Sequence, residues 1–182
     1  MHKTAYDWVA AQMQGQTMEP LEVLEIGSMS INGTIRPIFE LCDSYIGIDT
    51  VKGPAVDVVA DGAEYMPGAP PDVVVTCSTL EHTPNAEQIV RHAFDILKPG
   101  GLLLVTAVDD RWPKHSANGA TLLEDEYYGG IQSTDLRDWF NQAGFSDVQV
   151  EDHPSGDVFG RGRKPKQEKE DRRHGANTPD AL

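Results

Sequence analysis

The chain has 182 residues, 39% of them hydrophobic, and a formal net charge of −14. This is enough apolar material for one core domain. The charge is uneven, because residues 161–182 hold seven basic and four acidic side chains, whereas residues 1–160 hold eight basic and 25 acidic ones. A domain of that sign repels a phosphate backbone, which disfavours nucleic acid as the main substrate.

The two cysteines and the apolar runs indicate the compartment. Cys42 and Cys77 lie far apart, with neither metal-ligand spacing nor a disulfide framework, which fits a reducing environment. The first residues have no apolar signal core, and no apolar run approaches the roughly 20 residues that span a bilayer. We therefore expect a cytoplasmic protein without a membrane segment. Oligomeric state has no signature in the sequence.

The first half of the chain alternates helical and extended patterns. It predicts a helix over 4–14, a strand over 21–27, a short helix over 34–42 with Pro37 in its first turn, and strands over 45–49 and 56–60. Only residues 50–55 separate the last two strands, too few for a crossover helix. Either this connection is abbreviated or the two strands are not parallel neighbours, and we favour abbreviation.

The second half continues the alternation. It predicts a strand over 72–77, a helix over 84–97, a strand over 102–108, a helix over 133–143 capped by Gly144, a strand over 145–151 and a short strand at 157–159. Residues 109–130 form a connection long enough to be functional. Residues 161–182 are nearly free of apolar side chains and are interpreted as a disordered tail. The alternatives are contact with anionic partners or, for residues 161–164, an extension of the last strand.

Together these elements predict a single α/β domain over residues 1–160. Alternating strands and helices with continuous apolar strands are typical of a doubly wound, mostly parallel sheet, here of seven strands. The closing helix, strand and strand predict an antiparallel hairpin at one edge.

Two strand ends predict a nucleotide crevice. Glu25-Ile26-Gly27 and Gly47-Ile48-Asp49 each end an apolar strand, and in a parallel sheet their carboxyl ends meet. Gly27 admits a ligand close to the backbone, and Asp49 can accept hydrogen bonds from a ribose diol. The glycine set that cradles a pyrophosphate is absent. The pattern therefore favours a nucleoside without a diphosphate and weighs against a nicotinamide cofactor.

Six motifs occur in one order at suitable spacing. They are Glu25-Ile26-Gly27, Gly47-Ile48-Asp49, Asp61-Gly62-Ala63, Asp72-Val73-Val74-Val75, Leu80-Glu81-His82 and Leu97-Lys98-Pro99-Gly100-Gly101. Over about residues 21–160 this set resembles the class I S-adenosylmethionine-dependent methyltransferases, in the group called type 11. The resemblance implies a Rossmann-like fold, S-adenosylmethionine as cofactor, and methyl transfer to a small-molecule or glycan-type acceptor.

The resemblance also implies roles for individual residues. Glu25 would face the amino-acid end of the cofactor, Gly27 would let that end approach the backbone, and Asp49 would bind the ribose. The other implied cofactor contacts are Ser28 beside Gly27, Val51 and Asp61-Gly62-Ala63 around the adenine, and Cys77 and Ser78 beneath the methionine part.

Candidate catalytic and acceptor residues lie near the implied site. His82 and His115 are the candidate general bases, although His82 could instead cap a helix or pack under the sheet edge. Trp112, His115, Tyr127 and Tyr128 are candidate acceptor contacts, or ordinary loop and packing residues. Asp109-Asp110 lacks the further oxygen ligands a metal needs, so we predict no metal site.

The loop after the first strand departs from the family pattern. Met29 and Ile31 occupy positions where the family has its second and third glycines. The bulky side chains either crowd the cofactor or the loop follows another path, with Gly33 in the tight turn; we favour the second. The departure also motivates an alternative function, a catalytically degenerate cofactor-binding domain that acts as a partner or sensor.

Overall fold

The computed structural model describes residues 3–18 and 20–166. Its three α-helices are α1 (Lys3–Met13), α2 (Ala86–Ile96) and α3 (Ser133–Ala143). Its seven strands are β1 (Glu22–Ile26), β2 (Ser44–Asp49), β3 (Val58–Val59), β4 (Val73–Cys77), β5 (Leu102–Val108), β6 (Ser146–Asp152) and β7 (Asp157–Arg163). No helix within these residues is long and apolar enough to cross a membrane.

The strands form one sheet in the order β3-β2-β1-β4-β5-β7-β6. The first five strands in that order pair in parallel, and β7 pairs antiparallel with both β5 and β6. This confirms the doubly wound, mostly parallel sheet with a hairpin at one edge. The carboxyl ends of β1, β2 and β4 consequently lie side by side.

Apolar side chains bury both faces of the sheet. Every residue of β4 and β5 is buried, as continuous apolar strands require when helices cover both faces. One core cluster joins the sheet to α2 and α3, and the other joins it to α1 and the turn at Arg36–Phe39. The chain therefore packs as a single three-layer domain.

Two predicted elements are shorter in the structure. The helix expected over 34–42 is only a 3₁₀ turn at Arg36–Phe39, since its first residues have no side-chain cap and Leu41 is exposed. The strand expected over 56–60 is reduced to Val58–Val59, an exposed edge. It still pairs in parallel with β2, which confirms the abbreviated connection.

The prediction that the tail begins at residue 161 is wrong. Strand β7 continues to Arg163 and pairs with β5 and β6 along its length, so the strand alternative holds for residues 161–163. The composition of this segment did not indicate a strand, because Gly160 and Gly162 contribute no apolar side chains. A Cβ at Gly162 would lie 2.7 Å from Phe140 Cδ1, so the missing side chain allows α3 to pack closely. Residues 167–182 of the predicted tail lie outside the described residues.

Candidate functional site

A cavity of about 640 Å³ opens at the carboxyl ends of β1, β2 and β4, where ligands of doubly wound sheets bind. Eleven residues predicted to act at the site line it, namely Glu25, Gly27, Ser28, Asp49, Asp61, Gly62, Cys77, Ser78, His82, Trp112 and His115. The fold thus brings together both strand ends and the loop after β5. Val51, Ala63, Tyr127 and Tyr128 do not line the cavity.

The turn after β1 depends on a glycine. Gly27 has φ +78°, and the backbone N–H groups of Gly27 and Ser28 both donate to Ile48 O at 2.9 Å. A Cβ at Gly27 would lie 2.0 Å from Thr79 Oγ1, so the loops after β1 and β4 touch here. In the loop after β4, Ser78 has φ +50°, a strained value for a residue with a side chain. The floor of the site is therefore tightly constrained.

Asp49 organises the next strand end. Its Oδ2 accepts a hydrogen bond from Met29 N at 3.3 Å, and its Oδ1 accepts one from Val51 N at 3.1 Å. The side chain lines the cavity between these two loops. The side chain of Val51 is 58% exposed and does not line the cavity.

Asp61 forms the turn on the far side of Asp49. Its Oδ1 accepts a hydrogen bond from Ala63 N at 2.8 Å. Asp61 and Gly62 line the cavity, whereas Ala63 is buried in the core cluster beneath. The turn presents its first two residues to the site and uses the third for packing.

The altered loop places its bulky side chains at the cavity wall. Met29 and Ile31 both line the cavity. A Cβ added at Gly53 would lie only 2.0 Å from Met29 Sδ. Ser30 N donates to Pro54 O at 2.9 Å, which ties the loop to the segment after β2. Gly33 has φ +123°, in the region that favours glycine. Gly53 thus provides space for the methionine.

Three rings form one cluster at the mouth of the cavity. The ring centroids of His82, His115 and Tyr128 lie 5.0–5.1 Å apart in every pair. Tyr128 supports the two histidines from behind, since it is buried and outside the lining, whereas Tyr127 is 49% exposed. Tyr128 therefore reaches the site through His82 and His115 rather than directly.

The two histidines differ in their surroundings. Burial, and then the nearby His115, lower the pKa of His82 to about 4, so His82 is neutral and a weak base at pH 7. His115 Nδ1 lies 2.9 Å from Pro113 O. A carbonyl oxygen only accepts, so Nδ1 carries a proton, and in that tautomer Nε2 carries the lone pair. Of the pair, His115 has the geometry of a base.

The first acid of the loop after β5 is not free to bind a metal. Asp109 accepts hydrogen bonds from Arg111 N at 2.8 Å and Arg111 Nε at 2.7 Å, and this holds its pKa below the usual value. Within the described residues, no group of three or more His, Cys, Asp or Glu side chains is placed to hold a metal ion.

Sequence reasoning missed several lining residues. Ile48, Thr50 and Pro113 adjoin predicted positions and could have been found from their neighbours. Gly119 lines the cavity from within the long connection, where no motif marks it. Tyr45 was also missed, although its hydroxyl donates to Glu25 Oε2 at 2.6 Å, because that contact depends on strand register.

Glu81 is a buried carboxyl behind the histidines. It is 1% exposed, and neither carboxyl oxygen has a hydrogen-bond partner among the described residues. Burial raises its pKa to about 8, and burial followed by the charge of Glu81 raises the pKa of Tyr128 to about 12. Glu81 is therefore mostly protonated at neutral pH.

The buried carboxyl predicts a pH-dependent stability. The folded state holds the Glu81 proton up to about pH 8, whereas the unfolded chain loses it near its ordinary pKa. The unfolding free energy should therefore fall as pH rises from about 5 to 8, with Glu81 contributing at most about 4 kcal/mol. Glu25, whose pKa is raised to about 7, adds to the same fall up to that pH.

Urea unfolding between pH 5 and 9 measures this effect. We expect Glu81→Gln to flatten the curve between pH 7 and 8, where Glu25 contributes little to the slope. The exposed Glu124→Gln serves as control and should keep the wild-type slope. A Glu81→Gln curve parallel to that of the wild type would contradict the assignment.

Comparison with known proteins adds to this geometry. A family model described as a methyltransferase domain matches residues 7–150. Comparison with curated proteins gave no significant match.

Three solved structures share the fold. One is the Burkholderia thailandensis 1,6-didemethyltoxoflavin-N1-methyltransferase with bound 1,6-didemethyltoxoflavin and S-adenosylhomocysteine (TM-score 0.64, 16% identity, 90% of this chain and 80% of that chain). Another is the Synechocystis PCC 6803 magnesium protoporphyrin IX methyltransferase with bound S-adenosylmethionine (0.61, 16%, 90% and 79%). The third is Haemonchus contortus phosphoethanolamine N-methyltransferase 2 with S-adenosylmethionine, of which this chain covers only 52% (0.65, 16%, 88% of this chain). At these identities the likeness shows the fold.

Proposed function

Since this chain belongs to the methyltransferase domain family, as a class I S-adenosylmethionine-dependent methyltransferase, we propose that it methylates a neutral or cationic small molecule bound beside His82, Trp112 and His115. The observation that carries the proposal is that one continuous cavity joins the strand-end crevice to a region lined by these rings.

The crevice residues fit the cofactor. Glu25 and Asp49 supply carboxylates at the two strand ends, for an ammonium group and a ribose diol respectively. The tight turn at Gly27 keeps the intervening backbone clear of side chains. Asp61 and Gly62 line the part of the cavity beyond Asp49 and are proposed to contact the adenine, and Cys77 and Ser78 the methionine part.

The charges at the cavity wall support the class of acceptor. Among the described residues that line the cavity, none is Lys or Arg, so no fixed cation would balance an anionic acceptor. The rings of Trp112, His82 and His115 instead offer stacking surfaces. The end of a glycan also stacks on aromatic rings and is neutral, so it stays within the proposal as a second acceptor type.

When bound, S-adenosylmethionine supplies the electrophilic methyl group, and the protein supplies position and electrostatics. We propose that the acceptor has an N–H or O–H group and that His115 Nε2 takes its proton. His82 keeps the mouth apolar by staying neutral, and the Tyr128 ring holds both imidazoles in place.

Changing His115 tests the proposed base. With an acceptor in hand, we expect His115→Gln to lower kcat/KM by about 10²- to 10⁴-fold, because general-base catalysis contributes that much. The affinity for S-adenosylhomocysteine should stay within about twofold. Lys114→Gln, on the same loop and exposed, is the matched control. Equal turnover by His115→Gln and wild type would remove His115 as the base.

The function itself is tested by calorimetry followed by an acceptor screen. Titration with S-adenosylmethionine and S-adenosylhomocysteine should give saturable binding, with no binding of NADH. Transfer of a labelled methyl group to a panel of neutral and cationic amines, phenols and glycans should then find the acceptor. Absence of binding to folded protein would overturn the proposal, and binding without turnover of any acceptor would favour the degenerate-domain alternative.

We also propose that the protein works in a reducing, cytoplasmic compartment. Cys42 and Cys77 are both free thiols, and burial raises the pKa of Cys77 to about 12. Cys77 therefore stays a neutral thiol at the cavity wall, as suits a compartment where thiols persist.

A further inference from the structure

One acidic side chain of the cavity is held from behind by a residue that no motif marks. Glu25 on β1 is 4% exposed and lines the cavity. Tyr45 on β2 donates its hydroxyl proton to Glu25 Oε2 at 2.6 Å. The register pairs Glu25 with Gly47 and Val23 with Tyr45, so both side chains emerge on one face of the sheet, two positions apart. Among the described residues the carboxyl of Glu25 accepts this hydrogen bond at Oε2, and Oε1 is the oxygen proposed to meet a ligand.

Tyr45 is itself fixed. The guanidinium of Arg36 lies 4.6 Å from the centre of the Tyr45 ring. Arg36 Nη2 donates to Ala55 O at 3.0 Å and pairs with Asp57, so the guanidinium has little freedom. These contacts join the 3₁₀ turn, β2 and the segment after β2 into one support for the Glu25 carboxyl.

We propose that Tyr45 is a positioning residue that holds Glu25 for the ammonium group at the amino-acid end of the cofactor, and that cofactor binding ionises this carboxyl and releases its proton to solvent. The inference rests on the proposed function and deepens it. Tyr45 does not line the cavity and acts only through Glu25.

The charges around Glu25 set the direction of this coupling. Burial raises the pKa of Glu25 to about 7, opposed by the Tyr45 hydrogen bond and by the charge of Arg36, and assisted by Asp57 and Asp49. Tyr45 remains a donor throughout, because burial and the carboxylate raise its own pKa. An arriving ammonium group stabilises the carboxylate, so part of the population must lose a proton on binding.

The coupling predicts how affinity depends on pH. Only the ionised carboxyl binds the ammonium well, so affinity for S-adenosylhomocysteine should fall about tenfold per pH unit below 7 and level off above it. At pH 7 about half a proton should be released per cofactor bound. Calorimetry in two buffers of different ionisation enthalpy measures that number directly.

Tyr45→Phe separates positioning from mere packing. The ring stays, but the hydroxyl that favours the ionised carboxyl is lost, so the midpoint of the affinity curve should move up by about one pH unit. Affinity at pH 7 should drop while affinity at pH 9 returns close to that of the wild type. A purely structural defect would lower affinity equally at every pH.

Three further variants complete the experiment. Glu25→Gln should bind weakly at every pH and release no proton through this route. Tyr127→Phe, exposed and outside the cavity, should match the wild type. Lys114→Gln, exposed on the loop after β5, controls for the loss of a surface charge and should also keep the wild-type midpoint.

The outcomes distinguish the two proposals. Wild-type binding without proton release, or a Tyr45→Phe curve with an unmoved midpoint, overturns this inference and leaves the proposed function standing. No binding of S-adenosylhomocysteine at any pH overturns the proposed function instead. Thermal melting of each variant confirms that the compared proteins are folded.

Discussion

Replacing Asp49 by alanine should weaken the binding of S-adenosylhomocysteine by about 100-fold while the domain stays folded, because two charge-assisted hydrogen bonds to the ribose diol are lost. Asp49 lines the cavity at the end of β2, and its position is already set by the N–H groups of Met29 and Val51. It therefore costs little to order when the cofactor binds.

Calorimetry at pH 8 measures this effect away from the Glu25 titration. Asp49→Asn keeps one acceptor oxygen and should fall between alanine and wild type. Asp110→Ala, exposed after β5 and bonded to Gln132, controls for the loss of a negative charge. An Asp49→Ala affinity within threefold of wild type would contradict the assignment of this strand end to the ribose.

The largest structural effect is expected from Gly27→Ala. Its φ of +78° disfavours a side chain, and the new Cβ would lie 2.0–2.7 Å from three atoms of Thr79. The loops after β1 and β4 must then separate, which should cost about 2–4 kcal/mol of stability and abolish measurable cofactor binding.

Two glycines of the same chain isolate the causes. Gly15 has φ +77° with nothing within 4 Å of its Cβ position, so Gly15→Ala should show the backbone cost alone, about 1 kcal/mol. Gly68 has open space and no positive φ, and Gly68→Ala should be neutral. Urea unfolding and titration with S-adenosylhomocysteine provide both readouts. If Gly27→Ala were as stable as Gly15→Ala, Thr79 would have to move away from the new side chain at no cost, which would contradict the prediction.

The long elements were predictable because burial dictates their pattern. Strand β5 and helix α3 have the predicted bounds, since their apolar residues follow the periods of a strand and a helix. The lengths of the short elements were not predictable, because the turn at Arg36–Phe39 and strand β3 bury too few side chains to show a hydrophobic period. The end of strand β7 could not be predicted from composition, since two glycines and two arginines occupy its last four positions.

The residues of the site also divide into those that were predictable from sequence and those that were not. Residues at strand ends were predictable from local motifs, because the carboxyl ends of parallel strands must meet at one edge. Side chains from the long connection were predictable only in part, because Trp112 and His115 line the cavity as expected whereas Tyr128 lies behind the histidines.

The sequence by itself determined the sheet, the crevice and the family, since these depend on hydrophobic period and on short motifs at strand ends. Only the tertiary structure decided which polar groups share a partner. The Tyr45 hydrogen bond to Glu25 needs the register of β1 against β2, and the choice of His115 over His82 needs the burial of His82 and the contact of His115 with the Pro113 carbonyl. Register and burial are set by the packing of segments far apart in the chain, and no local pattern encodes either property.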